Sequence, residues 1–339
     1  MQASSTASLR HAEYYLSVLR QSEHLYTQGR EGQGQALKLF DAEWPNIKAA
    51  QRWTASTAGQ NDEASRLCGD FPNAGPNLLD LRLDPHERIR WSRAALKSAR
   101  RLKRRESEYA ALTTLGRAFT IPRMTHRAIV LQQKALEIAL GAGNRKVECS
   151  ALINLGLAWY ISGISRGKHQ AREAQREVEY ALGYFDQALS NIRQIPDRSK
   201  DDRKSEANAL GNIGHAWHRL GDPMRAIRCY EEQLAIAEGV GDRRIESQAL
   251  GSLGIVYKFL RCFEEAGKFY ERQLAIAREL GDRFGEAGAI YNLGLALYET
   301  SHSAQALIQA EAALGIFEQV SPPNAVRVRE QIARWRGDQ

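Results

Sequence analysis

Proline is scarce in this sequence, 9 residues in 339, and it sits chiefly where turns are expected: Asp84-Pro85, Asp222-Pro223 and Ser321-Pro322-Pro323. The proline-free stretches between them are rich in Ala, Leu, Glu, Gln and Arg, which favours helix. No alternating apolar and polar run of strand length occurs. Cysteine is scarcer still. Cys68, Cys149, Cys229 and Cys262 form no CxxC pair, which argues against a disulfide scaffold and reads as reduced thiols. No apolar run is expected to reach the ~18 residues of a membrane span. The opening Met1-Gln-Ala-Ser-Ser-Thr lacks the charged and apolar regions of a signal peptide. These absences predict a soluble, cytoplasmic protein with no membrane partner. The net charge of +7 permits an acidic partner or nucleic acid without requiring either.

What the chain has in abundance is repetition. Ala111-Leu-Thr-Thr-Leu-Gly116 returns 40 residues later as Ala151-Leu-Ile-Asn-Leu-Gly156. Ala209-Leu-Gly-Asn-Ile-Gly214 returns, again at steps of 40, as Ala249-Leu-Gly-Ser-Leu-Gly254 and Ala289-Ile-Tyr-Asn-Leu-Gly294. Such a period predicts stacked helical hairpins rather than a domain closed round one core. In one unit, Asp242 is placed to cap a helix running to about Leu260, with Leu250, Leu253 and Tyr257 on its buried stripe. Gly254 lets the second helix approach, and Ala266, Tyr270, Leu274 and Ala277 form that helix's packed face. Gly156 and Gly214 lie 58 residues apart, so 18 have been inserted. About 13 of them fall between the two helices, at roughly 163–180, and predict an exposed extension of the second helix.

The domain organisation expected is therefore an irregular helical region over 1–102, five repeats over 103–320, and a capping helix over 321–339. In the first region, Ala36 to Ala55 reads as a helix with a break or start at Pro45. In the last, Asn324 is placed to cap a helix whose Val326, Val328, Ile332 and Trp335 cover the final hairpin.

The unit Leu210, Ile213-Gly214, Trp217, Ala226, Tyr230, Ala237 resembles the tetratricopeptide repeat. Its 40-residue length and Gly-Asp-Arg-x-x-Glu opening resemble the longer variant of Pins/LGN-type adaptors and bacterial signalling proteins. The resemblance covers about 85–320. It implies an all-α, right-handed superhelix (an α-solenoid) of antiparallel hairpins that binds a protein or peptide in its concave groove. Upstream, His11, Tyr14 and Tyr15, then Glu43, Asn46, Ile47, Ala49, Ala50 and Trp53, resemble the region after the winged-helix domain in bacterial STAND-class (NB-ARC-type) NTPases. That implies a sensor or adaptor arm whose ATPase lies outside this chain.

No catalytic residue is expected. Gly163-Ile-Ser-Arg-Gly-Lys168-His169 is one residue short of a P-loop, has His169 in place of the hydroxyl, and follows no strand. His215 and His218 have no carboxylate or cysteine helix-mate, so neither metal nor cofactor is expected. Two ladders remain. Arg105, Arg145, Arg203, Arg243 and Arg283 occupy one repeat position, and Glu108, Glu148, Glu206, Glu246 and Glu286 the position three later. They read either as ionic ties between repeats or as arginines reaching a ligand carboxylate.

The second ladder is Asn154, Asn212 and Asn292, with Thr114 and Ser252 in the other two slots. In the tetratricopeptide family this stripe faces the groove. It would present Asn208, Asn212, His215 and Arg219, then Gln248, Ser252, Ile255 and Phe259, then Asn292, Leu295 and Glu299. Amides beside apolar side chains suit an extended or helical peptide. A small-molecule sensor of a transcriptional regulator is the alternative, and a closed pocket near residues 60–85 would favour it. Nucleic acid at Arg100-Arg-Leu-Lys-Arg-Arg105, with Arg90, Arg93 and Lys97, is the third reading. It is weakened by the lack of regularly exposed aromatics for base stacking. The partner's identity and the oligomeric state stay open.

Overall fold

The computed structural model describes residues 2–28, 30–120 and 124–337. The described residues are helices joined by short turns, with no strand among them. They fall into two compact units, Met1–Ala188 and Leu189–Gln339.

The first unit opens with a long hairpin, α1 (Gln2–Tyr26) and α2 (Arg30–Thr57), followed by α3 (Asp62–Asp70), a 3-10 turn over Phe71–Asn73, α4 (Pro76–Arg82) and α5 (Pro85–Arg101). Leu16, Leu19, Phe40, Ile47, Leu67, Phe71, Leu78 and Trp91 share one core that draws these helices together. Pro45 neither breaks nor starts a helix, contrary to the sequence expectation: it lies inside α2. Phe40, Ile47 and Ala50 on either side of it are buried, and their packing outweighs the missing backbone donor. The His11 and Tyr15 rings lie 4.6 Å apart on α1, Asn46 donates to Glu43 at 2.9 Å on α2, and Tyr15 bonds to Glu43, so the two halves of the upstream motif meet in this hairpin.

The hairpins follow: α6 (Arg105–Ala118), α7 (Thr125–Gly141), α8 (Arg145–Ser165), a 3-10 turn over Lys168–Gln170, and α9 (Ala171–Arg193), which crosses into the second unit. Among the described residues α8 alone is long and apolar enough to cross a membrane, a correction to the sequence expectation. Its Leu155 and Ala158 are buried in the hairpin core with Leu112 and Ile129. Gly163 lies within α8 rather than in a phosphate-binding loop, and a Cβ there would meet Ala174 and Val178. The insertion therefore does extend the second helix, but not as a free arm. Val178 and Ala174 are buried, and Arg166 is ion-paired to Glu177.

The second unit continues with α10 (Lys200–Arg219), α11 (Pro223–Val240), α12 (Arg243–Phe259), α13 (Phe263–Leu280), α14 (Arg283–Glu299), α15 (Ser303–Val320) and α16 (Pro322–Gly337). Ser199 and Asp202 form a reciprocal capping box on α10, and Asp222, Asp242 and Asp282 cap α11, α12 and α14. Gly241 and Gly281 end α11 and α13 in the left-handed region, at φ 72° and 67°. The motif glycines serve as ring slots: a Cβ on Gly214 or Gly254 would lie 2.5 Å from the Tyr230 or Tyr270 ring. In the first unit Gly156 faces Phe185 in the same way, 29 residues on instead of 16.

The capping helix α16 begins two residues before Asn324. Asn324 lies in the first turn, its amide donating to Ser321 Oγ at 3.0 Å, because Pro322 and Pro323 suit the first positions of a helix, where no N–H partner is needed. Ala325, Val328, Ile332 and Trp335 are its buried face, whereas Val326 points outward. The 3.6-residue turn carries Val326 away from the stripe that Val328 and Ile332 share.

Candidate peptide groove on the first helices of the hairpins

In the second unit, α10 touches α12 and α12 touches α14, while the second helices of successive hairpins meet less. The first helices therefore stand side by side, with the asparagine stripe running across them. Asn208, His215, Arg219, Gln248, Ile255, Phe259 and Glu299 are exposed there, and Asn212, Asn292 and Leu295 are half-buried. Phe259 is 61% and Ile255 41% exposed, one helical turn apart on α12, so the two apolar side chains share one face. Ser252 departs from the expectation. It is 9% exposed, its short side chain not reaching beyond Gln248 and Ile255. Asn154 stands half-buried on α8 in the first unit. On α6 the corresponding Thr114 is half-buried, and its hydroxyl donates to Asn73 of the irregular segment at 2.8 Å.

His215 is tied to Tyr230, whose hydroxyl lies 2.7 Å from His215 Nδ1. Protein on the inner side of the ring desolvates it, and nearby His218 adds to the effect, lowering the imidazole to about 4. With Nδ1 bonded to Tyr230, a neutral ring has Nε2 left to donate or accept, according to its tautomer. One repeat on, Ile255 replaces the histidine and the buried Tyr270 hydroxyl has no partner. Tyr230→Phe is accordingly expected to cost about 1 kcal/mol, and Tyr270→Phe to be neutral or stabilising. Urea denaturation of both variants checks this, and equal losses would overturn it.

The charged ladder is a set of ion pairs. Arg243 reaches Glu246 and Glu279 at 2.6 Å each, Arg105 lies 3.7 Å from Glu108, and Arg283 pairs with Glu286. At Glu206 the ladder position is filled differently: Arg193 and Arg198 hold it at 2.8 and 2.6 Å. Arg203 is exposed, and Arg145 and Glu148 lie near the start of α8. Sequence reading missed a second set of arginines, each eight residues before a ladder glutamate: Arg100 to Glu108 at 2.9 Å, Arg198 to Glu206, and Arg278 to Glu286 at 3.1 Å. They tie the end of one hairpin to the start of the next. Glu108, Glu206 and Glu286 thus have both carboxylate oxygens engaged, while Arg105 and Arg203 keep exposed side chains. The basic run is partly neutralised as well, since Arg100 and Arg105 face Glu108 and Arg101 pairs with Asp62.

A cavity of about 280 Å³ lies in the first unit, bounded by Pro72, Pro76, Leu79, Trp91, Tyr109 and Arg117. No group of three or more His, Cys, Asp or Glu able to hold a metal occurs among the described residues.

Two stretches of this hairpin array, residues 209–244 and 247–319, match family models described as tetratricopeptide repeat. The hairpins of residues 209–319 are tetratricopeptide repeats. No curated protein matches the sequence. Among solved structures, the chain is similar to BtubC from P. vanneervenii, at 16% identity and a TM-score of 0.57, over 70% of this chain and 92% of that one. It is also similar to a STAND protein with a tetratricopeptide repeat sensor from Pyrococcus horikoshii, at 17% identity and a TM-score of 0.59. That match covers 99% of this chain and 50% of the other, so the chain spans half that ATPase's length. A Rap protein complexed with Competence and Sporulation Factor matches at 14% identity and a TM-score of 0.56, over 98% and 99%. At these identities the likeness is one of fold.

Proposed function

We propose that this chain is a non-enzymatic recognition arm that holds an extended peptide segment of a protein partner along α10, α12 and α14, as the sensor or adaptor part of a signalling regulator. The observation that carries this reading is the stripe itself. Exposed Phe259 and Ile255 alternate with Asn208, Asn212, Gln248 and the ring of His215. Amides satisfy a peptide backbone, and the apolar pair selects side chains. Likeness of fold to a STAND protein with a tetratricopeptide sensor, and to a Rap protein complexed with Competence and Sporulation Factor, supports the reading.

Panning a random-peptide display library against the chain tests it. Selected peptides should bind an Asn212→Ala/Phe259→Ala variant about tenfold more weakly or worse, while its thermal unfolding stays near that of the parent. Peptides that bind both forms equally would remove the groove from consideration. A small-ligand sensor is the second reading, favoured by the first-unit cavity of about 280 Å³ beside residues 72–83.

A further inference from the structure

The hairpins of the second unit repeat every 40 residues, so equivalent positions can be compared, and the middle hairpin departs from its neighbours at the end of its first helix. Lys258 stands where the others have His218 and Tyr298, and Phe259 where they have Arg219 and Glu299. Arg261 stands where they have Gly221 and Ser301. All three of these turn residues are left-handed, at φ 85°, 63° and 65°. Glycine adopts that conformation freely, whereas a long side chain there is strained, and strain of this kind is kept where the side chain's position matters.

The turn carries the Arg261 guanidinium to 5.7 Å from the Phe263 ring centre and 3.8 Å from Glu299 of the next hairpin. Lys258 is half-buried beside it, and burial holds its ammonium below the ordinary lysine range, with Glu299 pulling the other way. Arg334 faces them from α16, its guanidinium donating to Gln331 at 2.6 Å. These groups surround a cavity of about 500 Å³, whose apolar wall includes Phe259, Leu295, and Tyr298 stacked on Trp335 at 4.5 Å. Three cations thus line it with one carboxylate, Glu299, leaving two positive charges unbalanced.

We propose that this cavity binds a small organic phosphate with an aromatic body. A phosphate monoester carries about −1.5 to −2 charges at pH 7 and so balances the ring, whereas a monocarboxylate leaves a charge over. Its three oxygens accept from one ammonium and two guanidiniums. The exposed face of Phe259 offers the aromatic body a stacking surface. The site does not depend on the peptide reading, although Phe259 and Leu295 border both.

Calorimetric titration of the full chain with phenyl phosphate, inorganic phosphate and benzoate tests it. Phenyl phosphate should bind about tenfold or more tightly than either other probe. Arg261→Gly removes a guanidinium and relieves the strained backbone, so it should unfold at or above the parent's temperature while losing about tenfold or more in phenyl phosphate affinity. Glu299→Gln should bind more tightly than the parent. No binding of phenyl phosphate at millimolar concentration, equal binding of benzoate, or an Arg261→Gly variant that binds like the parent overturns the proposal. So does an acidic peptide that occupies the ring when phenyl phosphate does not.

Discussion

Replacing Gly254 with alanine destabilises the second unit by about 3 kcal/mol, near the top of the usual range for overpacking. The added Cβ would lie 2.5 Å from Tyr270 Cε1 and within 3 Å of two more ring atoms. Tyr270 is fully buried, so the ring has nowhere to swing, and α12 and α13 must splay apart instead. Gly239→Ala is the internal comparison. That glycine also lies in a helix, but its Cβ would meet nothing within 4 Å, so the change should stabilise by about 0.5–1 kcal/mol through helix propensity. Combining Gly254→Ala with Tyr270→Leu should recover part of the loss, because the two residues share one volume. Urea unfolding of the three variants beside the parent checks the pattern. A Gly254→Ala chain within about 0.5 kcal/mol of the parent would mean that the slot is not a constraint.

Trp335→Ala should cost about 3–5 kcal/mol, the range for emptying a large buried aromatic. Trp335 is 3% exposed, lies flat on Tyr298 at 4.5 Å and 10°, and shares a core with Phe317, Val328 and Ile332. Emptying this position exposes the apolar residues of α14 and α15 that α16 packs against. The variant should release α16 to limited proteolysis before any other segment, and its thermal midpoint should fall by several degrees. If α16 remains protected, the helix is held by its other contacts and Trp335 is not the anchor.

Much of this architecture can be traced in the sequence, for a simple reason: the hairpin contacts are local. Gly214 meets Tyr230 and Gly254 meets Tyr270 sixteen residues on, so a contact that recurs with the period is visible as a pair of letters. The shift of 13 between helices, assigned from the repeat alone, is the shift that brings Phe185 opposite Gly156. The second arginine set was harder to see, because its position holds Leu140 and Glu238 in the other two repeats. Asking which residue lies eight before each ladder glutamate would have found it.

Other features depended on what surrounds a residue rather than on its neighbours in the chain. Pro45 marks a helix boundary by local rules, but burial of Phe40 and Ile47 on either side carries α2 through it. The apolar character of α8 reflects its place in a hairpin core. Thr114 occupies a stripe position by register, yet its hydroxyl is bonded to Asn73, 41 residues earlier.

The sequence by itself determined the helical content, the hairpin unit, its period and the face of each first helix that carries asparagine, because these follow from 3.6-residue periodicity and from side chains that meet within one repeat. Only the tertiary structure decided which members of that face remain open, which arginines are already committed to glutamates, and that Lys258, Arg261 and Arg334 meet around one cavity. Those outcomes depend on contacts between hairpins and with the terminal helix, where burial and charge pairing are set by neighbours that no periodic pattern specifies.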